Sequence, residues 1–149
     1  MAQNRSTQNG PNLHRPYAST IDRLRGVGLR PTRQRLALAR LLLDGTDRHV
    51  SAEALHLEAE AAGVRISLAT VYNALHQFTQ AGLLREVVVE PGRSYFDTNV
   101  SEHHHFVMPD NGSLQDIPGD RVVLANVPDA PEGTKIERVD VIVRLVNED

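Results

Sequence analysis

The stretch Ser67–Phe78 constrains the fold more than any other part of the chain. Leu68, Val71, Leu75 and Phe78 recur at helical spacing, and Ser67 suits the N-cap of a helix that continues to Ala81. A second helical stretch, Ala52–Ala62, ends at a glycine only four residues before Ser67. Two helices joined by so short a turn indicate a helix-turn-helix motif.

The residues around this motif predict a winged helix. Two further helices precede it, over Ile21–Val27 and Arg33–Leu43. Two strands follow it, over Leu84–Glu90 and Arg93–Asp97, and a Pro-Gly turn joins them. Helices that precede a two-stranded hairpin are typical of a winged-helix domain, which we place at residues 18–97.

A different pattern follows a polar hinge at residues 98–102. The elements expected there are two strands, a short helix and a long alternating strand: His103–Met108, Leu114–Ile117, Asp120–Val127 and Ile136–Val146. So short a segment buries little core alone, so we expect residues 103–149 to pair with a second copy. The predicted fold class is α+β, with an N-terminal winged helix-turn-helix domain followed by a small α/β dimerisation domain.

Charge is divided unevenly along the chain, whose net charge is −3. Residues 1–99 contain twelve arginines and nine acidic residues, whereas residues 100–149 contain four basic and ten acidic residues. Residues 1–17 have the composition of a flexible basic arm. A basic half joined to an acidic half favours DNA as the partner of the first half, with ordinary surface charge as the alternative.

The chain contains no cysteine. Disulfides, thiolate zinc sites and cysteine-based redox sensing are therefore excluded, and any metal ligands must be His, Asp or Glu. No apolar run is long enough to cross a bilayer, and no signal peptide opens the chain. These features predict a cytoplasmic protein without a membrane partner.

The outward face of the Ser67 helix is uncharged and rich in hydrogen-bonding groups, as in helices that read base edges in the major groove. Tyr72 is placed to contact a thymine methyl group, and Asn73 to read an adenine. Nearby arginines and helix N-termini suit phosphate contacts. The predicted DNA-contacting residues are Arg30, Thr32, Arg33, Arg35, Ser67, Thr70, Tyr72 and Asn73. The alternative is an ordinary amphipathic helix of a small domain.

A run of three histidines, His103 to His105, lies at the start of the second half. In a strand His103 and His105 point to one face and His104 to the other. One imidazole and two carboxylates elsewhere in the chain complete a set suited to Fe, Mn or Zn. The predicted ligands are His49, Asp97, His103, His105 and Asp116. Separate roles as helix-flanking, turn or strand-end residues are the alternative.

A second site is predicted on the opposite face of the same strand. His104 would bind haem or a second metal ion there, with Glu102 nearby and Asp140 as a more distant candidate.

Four stretches, in this order, give the chain a resemblance to the ferric uptake regulator (Fur) superfamily of bacterial metal-dependent repressors. They are Gly28–Arg35, His49–Glu53, Ser67–Asn73 and Tyr95–Asp97. The resemblance implies a homodimer that binds an AT-rich, pseudo-palindromic, double-stranded DNA operator. It also implies a regulatory metal site on the five predicted ligands, and it matches Tyr72 to the family's base-contacting tyrosine.

One departure from the family pattern narrows the resemblance. Most members carry paired CxxC motifs for a structural zinc, and the absence of cysteine here predicts that this zinc, held by four cysteines, is missing. The histidine run without cysteines looks most like the iron response regulator (Irr) branch, which responds to haem and iron status. The cysteine-proline haem motif of some Irr members is absent, so haem sensing through a cysteine is excluded and a histidine-based haem site is the candidate.

Two other functions compete with that of a metal- or haem-responsive regulator of iron homeostasis. A peroxide-sensing repressor of the PerR type would use Fe or Mn at the same five ligands. A small metallohydrolase would need an open coordination position and a general base. The chain has no H-E-x-x-H motif, so we do not expect an enzyme.

Overall fold

The computed structural model describes residues 18–149, so the predicted basic arm lies outside the described residues. The helices are α1 (Ala18–Gly26), α2 (Arg33–Leu43), α3 (Ala52–Ala61) and α4 (Leu68–Gln80). The strands are β1 (His49–Val50), β2 (Arg85–Glu90), β3 (Arg93–Asp97), β4 (His103–Val107), β5 (Leu114–Pro118) and β6 (Ile142–Arg144). None of these helices is long and apolar enough to span a membrane.

Hydroxyl side chains fix the starts of three helices. Thr32, Ser51 and Ser67 lie at the N-caps of α2, α3 and α4, and each accepts a hydrogen bond from a backbone N–H of the first turn. Such caps satisfy donors that have no partner within the helix. The starts of all three helices therefore lie where the sequence predicts them.

The core of the first half lies between the helices and the first sheet. Its largest buried side chains include Phe78, Leu75, Leu55, Leu38 and Leu24, none of them accessible to solvent. Together they remove a continuous apolar surface from water, which is the main source of stability for a domain of this size.

Two details of the helices differ from the prediction. Helix α1 begins three residues before Ile21, because Thr20 is buried and its hydroxyl donates a hydrogen bond to Asp44 Oδ1 over 3.1 Å. Helix α3 ends at Ala61, one residue before the predicted end, and Ala62 is its exposed C-cap, where the chain leaves the helix.

The first sheet is a wing with one added strand. Strands β2 and β3 form the predicted antiparallel hairpin, and Gly92 in its turn has a φ of 77°, which favours glycine. The short strand β1 pairs with the other edge of β3 and sets His49 opposite Asp97. Sequence reasoning did not predict β1, because two residues are too few to show a period.

The second sheet has the strand order β5-β4-β6. Strands β4 and β5 are antiparallel, with His105 opposite Asp116. Strand β6 is parallel to β4, with His105 opposite Ile142. The histidine run thus occupies the central strand of this sheet.

Two elements predicted for the second half are wrong. The helix Asp120–Val127 is only a 3₁₀ turn, Gly119–Arg121, since Val122 and Val123 are poor helix formers and Val123 is 87% exposed. The strand Ile136–Val146 is reduced to Ile142–Arg144. Alternation of apolar and charged residues shows which side chains would share a face, but it does not show how far a strand extends. Strand β4 pairs with this segment at only three positions, and these alone form β6.

The buried position of Phe78 gives a test of this core. We expect Phe78→Ala to lower the free energy of unfolding by about 3–5 kcal/mol, because it leaves a cavity between the helices. Leu57 lies on α3 with 64% of its surface exposed, so Leu57→Ala should change stability by less than about 0.5 kcal/mol. Urea denaturation of both variants measures the difference. Equal losses would contradict the described core.

Candidate metal centre and DNA interface

Five side chains from both halves of the chain meet at one point. Their ligand atoms all lie within 4.8 Å of one another. The residues are His49 on β1, Asp97 on β3, His103 and His105 on β4, and Asp116 on β5. These are the five residues that the sequence analysis predicts as metal ligands.

Strand register brings the five residues together. His49 lies opposite Asp97 in the first sheet, and His105 lies opposite Asp116 in the second. His103 shares the face of His105 because side chains alternate along β4. The two sheets meet at this face, so each contributes part of the cluster.

The imidazoles surround one carboxylate oxygen. Asp97 Oδ2 lies 2.6 Å from His103 Nε2, 3.0 Å from His105 Nε2 and 3.1 Å from His49 Nε2. On the other side, Asp116 Oδ1 lies 2.8 Å from His49 Nε2 and 3.5 Å from both other Nε2 atoms. Three nitrogens and two oxygens therefore face a common centre.

Residues of the hinge orient two of these side chains. His103 Nδ1 donates a hydrogen bond to the carbonyl oxygen of Ser101 over 2.6 Å, which directs Nε2 toward the carboxylates. The other oxygen of Asp97, Oδ1, accepts a hydrogen bond from the N–H of Asn99 over 2.9 Å. Sequence reasoning missed both contacts, since residues 98–102 show only a polar composition.

Three members of the cluster are buried, His49 is partly buried and Asp116 is exposed. Asp97, His103 and His105 expose 4% or less of their surface, while the side chain of Asp116 is 40% exposed. Burial by itself raises the pKa of Asp97, but its contacts with the three imidazoles and a hydrogen bond from Asn99 lower it well below its usual range. The carboxylate of Asp97 raises the pKa of His49, against the effect of burial, and Asp116 adds to this rise.

The donor set fits a divalent transition metal. Imidazole nitrogens with carboxylate oxygens suit Fe(II), Mn(II) and Zn(II). His49 Nε2 is buried and within ion-pairing distance of two carboxylates but aligned for a regular hydrogen bond with neither, as suits a nitrogen that would bind a metal ion at the centre of the cluster. Within residues 18–149 no other group of three or more such side chains converges in this way.

The residues predicted for a second site lie apart from this cluster. His104 points to the opposite face of β4, as alternation predicts, and its Nδ1 accepts a hydrogen bond from the N–H of Val141 over 3.0 Å. Glu102 is exposed. Asp140 pairs with Arg85 and Arg138; burial raises its pKa, but these two arginines lower it below the ordinary value. The structure does not bring His104, Glu102 and Asp140 together as a ligand group.

Arginines join the C-terminal segment to the wing. Arg85 on β2 donates hydrogen bonds to Asp140 and to the carbonyl oxygen of Ser101. From the C-terminal segment, Arg138 donates a hydrogen bond to the backbone carbonyl of Glu86 on β2. Arg144 likewise donates to the backbone carbonyl of Val89 on β2. These contacts form a second connection between the two halves.

The outward face of α4 has the character that the sequence predicts. Tyr72 and Asn73 are exposed, while the apolar stripe of α4 is packed in the core. The Tyr72 hydroxyl donates a hydrogen bond to Glu53 Oε1 over 2.6 Å. This bond lowers the pKa of Glu53 and raises the pKa of Tyr72.

Some of the other predicted DNA contacts are exposed, and others are already hydrogen-bonded within the protein. Arg30 and Arg33 are exposed near the start of α2. Arg35 instead bridges α2 and α4, because its Nε and Nη2 both donate to Gln77 Oε1, and its Nη1 donates to the carbonyl oxygen of Arg30. The three predicted hydroxyl contacts lie at helix starts: Thr32 caps α2 and Ser67 caps α4. The hydroxyl of Thr70, in the first turn of α4, lies 2.8 Å from that of Ser67.

A winged helix with an exposed polar helix face, joined to a second sheet where five possible metal ligands converge, is the arrangement expected of a metal-responsive DNA-binding regulator. The sequence profile of the ferric uptake regulator family matches residues 26–144. The chain therefore belongs to the ferric uptake regulator family, and the resemblance noted from the sequence is confirmed at the level of the family.

Known relatives and solved structures agree with this assignment. The ferric uptake regulation protein of Shigella flexneri is 36% identical over 100 residues, which cover 66% of this chain and 68% of the relative. The ferric uptake regulator of Pseudomonas aeruginosa, solved with manganese, has a TM-score of 0.64 at 24% identity, covering 86% of this chain and 97% of that one. The Vibrio cholerae regulator has a TM-score of 0.65 at 24% identity, covering 84% and 97%.

Family membership fixes the general function and confirms the predicted fold class. Members are DNA-binding, metal-binding transcription repressors that act as homodimers, and they are not enzymes. The metallohydrolase alternative is therefore set aside. The chain shares the mixed helix-and-sheet fold of these solved regulators.

The lowered pKa of Asp97 predicts the acid response of the metal-free protein. Because the folded-state pKa lies below the ordinary 3.8, the ionised carboxylate stabilises the fold at neutral pH, and this contribution is lost as the pH falls below about 5. We expect Asp97→Asn to flatten the fall in unfolding free energy on this acid side and to cost about 1–3 kcal/mol at pH 7. Urea denaturation after chelation measures both effects, and an unchanged acid slope would contradict the assignment.

Proposed function

We propose that this protein is a cytoplasmic, iron-responsive repressor in which His49, Asp97, His103, His105 and Asp116 bind one divalent metal ion. One observation carries the proposal: the five ligand atoms come from both sides of the hinge and lie within 4.8 Å of one another. Fe is the proposed physiological metal, and Mn or Zn suits the same donor set. A bound ion would join both halves of the chain within one coordination shell.

The proposed consequence is control of the distance between two DNA-reading helices. We place the winged-helix domain at residues 18–97, the hinge at residues 98–102 and the dimerisation domain at residues 103–149. In a homodimer, the angle at each hinge sets the separation of the two α4 helices, and thus the spacing of half-sites on an AT-rich, pseudo-palindromic operator. Metal binding would favour one such angle.

The proposed DNA interface uses the exposed side chains of α2 and α4. Tyr72 and Asn73 on α4 read base edges in the major groove, while Arg30 and Arg33 contact phosphates. The N-termini of α2 and α4, with Thr32, Ser67 and Thr70, face the backbone of the DNA. Arg35 supports the interface by holding α4 through Gln77.

We further propose an Irr-like subtype, in which haem opposes the metal. The support is chemical: the chain has no cysteine to ligate haem, and the histidine run on β4 offers imidazoles that can do so. Using His103 or His105 for haem would withdraw a metal ligand. Using His104 would break its bond to Val141, which holds the C-terminal segment against β4. A PerR-type peroxide sensor is the alternative for the same five ligands.

Single histidine substitutions test the metal site. We expect His103→Ala or His105→Ala to weaken Mn²⁺ binding by at least about 10- to 100-fold, because each removes an imidazole directed at the cluster. His104→Ala is the matched control, because His104 lies on the same strand but points to the opposite face. Isothermal titration of each metal-free variant measures the affinity. A loss for His104→Ala as large as for the other two would contradict the assignment.

The raised pKa of His49 predicts that protons compete with the metal above pH 6.5. In the metal-free protein, the stabilising contact of charged His49 with the carboxylates is complete below pH 6.5 and is lost as the pH rises through the folded-state pKa. Metal affinity should therefore increase with pH through this range. His49→Ala should lower the affinity and reduce its dependence on pH, measured by titration at several pH values. An unchanged dependence on pH would exclude His49 as a ligand.

DNA binding under three treatments separates the proposed subtypes. Chelation should weaken binding to a selected operator while leaving the dimer intact, because no cysteine-held zinc supports the dimer.

Haem should release the operator from the metal-loaded protein if the Irr-like proposal holds. Release by peroxide, with a mass increase on His49 or His103, would instead support the PerR-type alternative. Gel shift, sedimentation and mass spectrometry give the three readouts.

A further inference from the structure

The exposed aromatic ring on the reading face of α4 is held by a charged side chain of α3. Tyr72 has 37% of its surface exposed, and its hydroxyl donates a 2.6 Å hydrogen bond to Glu53 Oε1. Its ring and the imidazole of His76 lie nearly perpendicular, with the ring centroids 6.3 Å apart. An exposed tyrosine otherwise samples several rotamers, so these two contacts select one of them.

Glu53 itself is fixed in place by the fold. It belongs to the first turn of α3, two residues after the cap Ser51, whose hydroxyl accepts a hydrogen bond from Ala54 N–H over 3.1 Å. A carboxylate near a helix N-terminus is favoured by the helix dipole. An acidic side chain on a DNA-facing surface repels phosphates, so its place beside Tyr72 calls for a compensating role.

We propose that Glu53 is a positioning residue that directs Tyr72 toward bases instead of phosphates; this rests on the proposed DNA-binding role of α4. A phenol with a free O–H donates readily to a phosphate oxygen. With its proton committed to Glu53, the oxygen of Tyr72 keeps only acceptor capacity. It then suits the amino groups of adenine or cytosine, while the ring edge suits a thymine methyl group.

The orientation of Tyr72 also reduces the entropy lost on binding. Ordering a mobile side chain at an interface costs about 0.5–1.5 kcal/mol, which corresponds to roughly 2- to 10-fold in affinity. Because the hydrogen bond to Glu53 forms before DNA arrives, this loss is smaller for the correct sequence. Glu53 should therefore raise specificity without touching a base.

Two substitutions of Glu53 separate the hydrogen bond from the charge. Glu53→Gln removes the charge but keeps an oxygen that accepts from the phenol. Glu53→Asp keeps the charge but shortens the side chain by one methylene, so that the acceptor no longer reaches the hydroxyl. Glu60→Gln is the matched control, because it removes a charge from the same helix without contacting Tyr72.

The measured quantity is the ratio of affinities for two duplexes. One duplex is selected by the Mn²⁺-loaded wild-type dimer from a randomised pool, and the other is a scrambled duplex of the same composition. We expect Glu53→Asp to lower this ratio about 2- to 10-fold. Glu53→Gln and Glu60→Gln each remove a negative charge, so they should strengthen binding to both duplexes. The affinity ratio should stay within about twofold of the wild-type ratio, a smaller change than the loss of one base contact would cause.

A second readout follows the ring of Tyr72 without DNA. In protein with isotope-labelled tyrosine, the NMR order of the Tyr72 ring should fall in Glu53→Asp and stay at the wild-type value in Glu53→Gln. In addition, Tyr72→Phe combined with Glu53→Asp should lower the affinity ratio no further than Tyr72→Phe alone, because both remove the same bond.

The outcomes distinguish this inference from the proposed function. A wild-type dimer that selects no sequence would overturn the proposed function and this inference together. A dimer that selects a sequence, but whose two Glu53 variants show equal ratios and equal ring order, would overturn the role of Glu53 alone. Additive losses in the double variant would also overturn it.

Discussion

The rest of the structure depends on the buried carboxylate of Asp97. A charge removed from water is costly unless several donors surround it. Asp97 exposes none of its surface, and its partners are three imidazoles and the N–H of Asn99. These partners come from β1, from the hinge and from β4, so the need to compensate one charge fixes where both sheets lie.

A nitrogen that faces Asp97 has two alternative uses. Such a nitrogen either carries a proton and donates a hydrogen bond to the carboxylate, or is unprotonated and offers its lone pair to a metal ion. These two states exclude each other. The hinge contributes to this balance, because Ser101 accepts from His103 Nδ1 and leaves Nε2 for the cluster. Thr98 and Arg48 also exchange backbone and side-chain hydrogen bonds, so the hinge is attached to the first domain at a defined point. Conditions that change protonation therefore act on the contact between the domains.

The sequence predicts the features that follow from local rules. Helix caps such as Ser67 and the alternation that separates His104 from His105 depend on a few adjacent residues, and these predictions agree with the structure. The long strand from Ile136 fails, because its extent depends on pairing with β4, which local patterns do not reveal. The helix from Asp120 fails for a local reason, the poor helix propensity of Val122 and Val123. Contacts distant in sequence, such as that of Arg35 with Gln77, have no local signal, since any polar residue on α4 would look the same.

The arginines that reach the wing have a consequence for the behaviour of the protein at high concentration. Strand β2 lies at the edge of its sheet, and an edge strand with unsatisfied backbone groups is a template onto which strands of other molecules add. Arg138 and Arg144 occupy two of its carbonyls with charged guanidinium groups. The same side chains that connect the domains thus obstruct this edge against intermolecular strand addition, the first step toward aggregation.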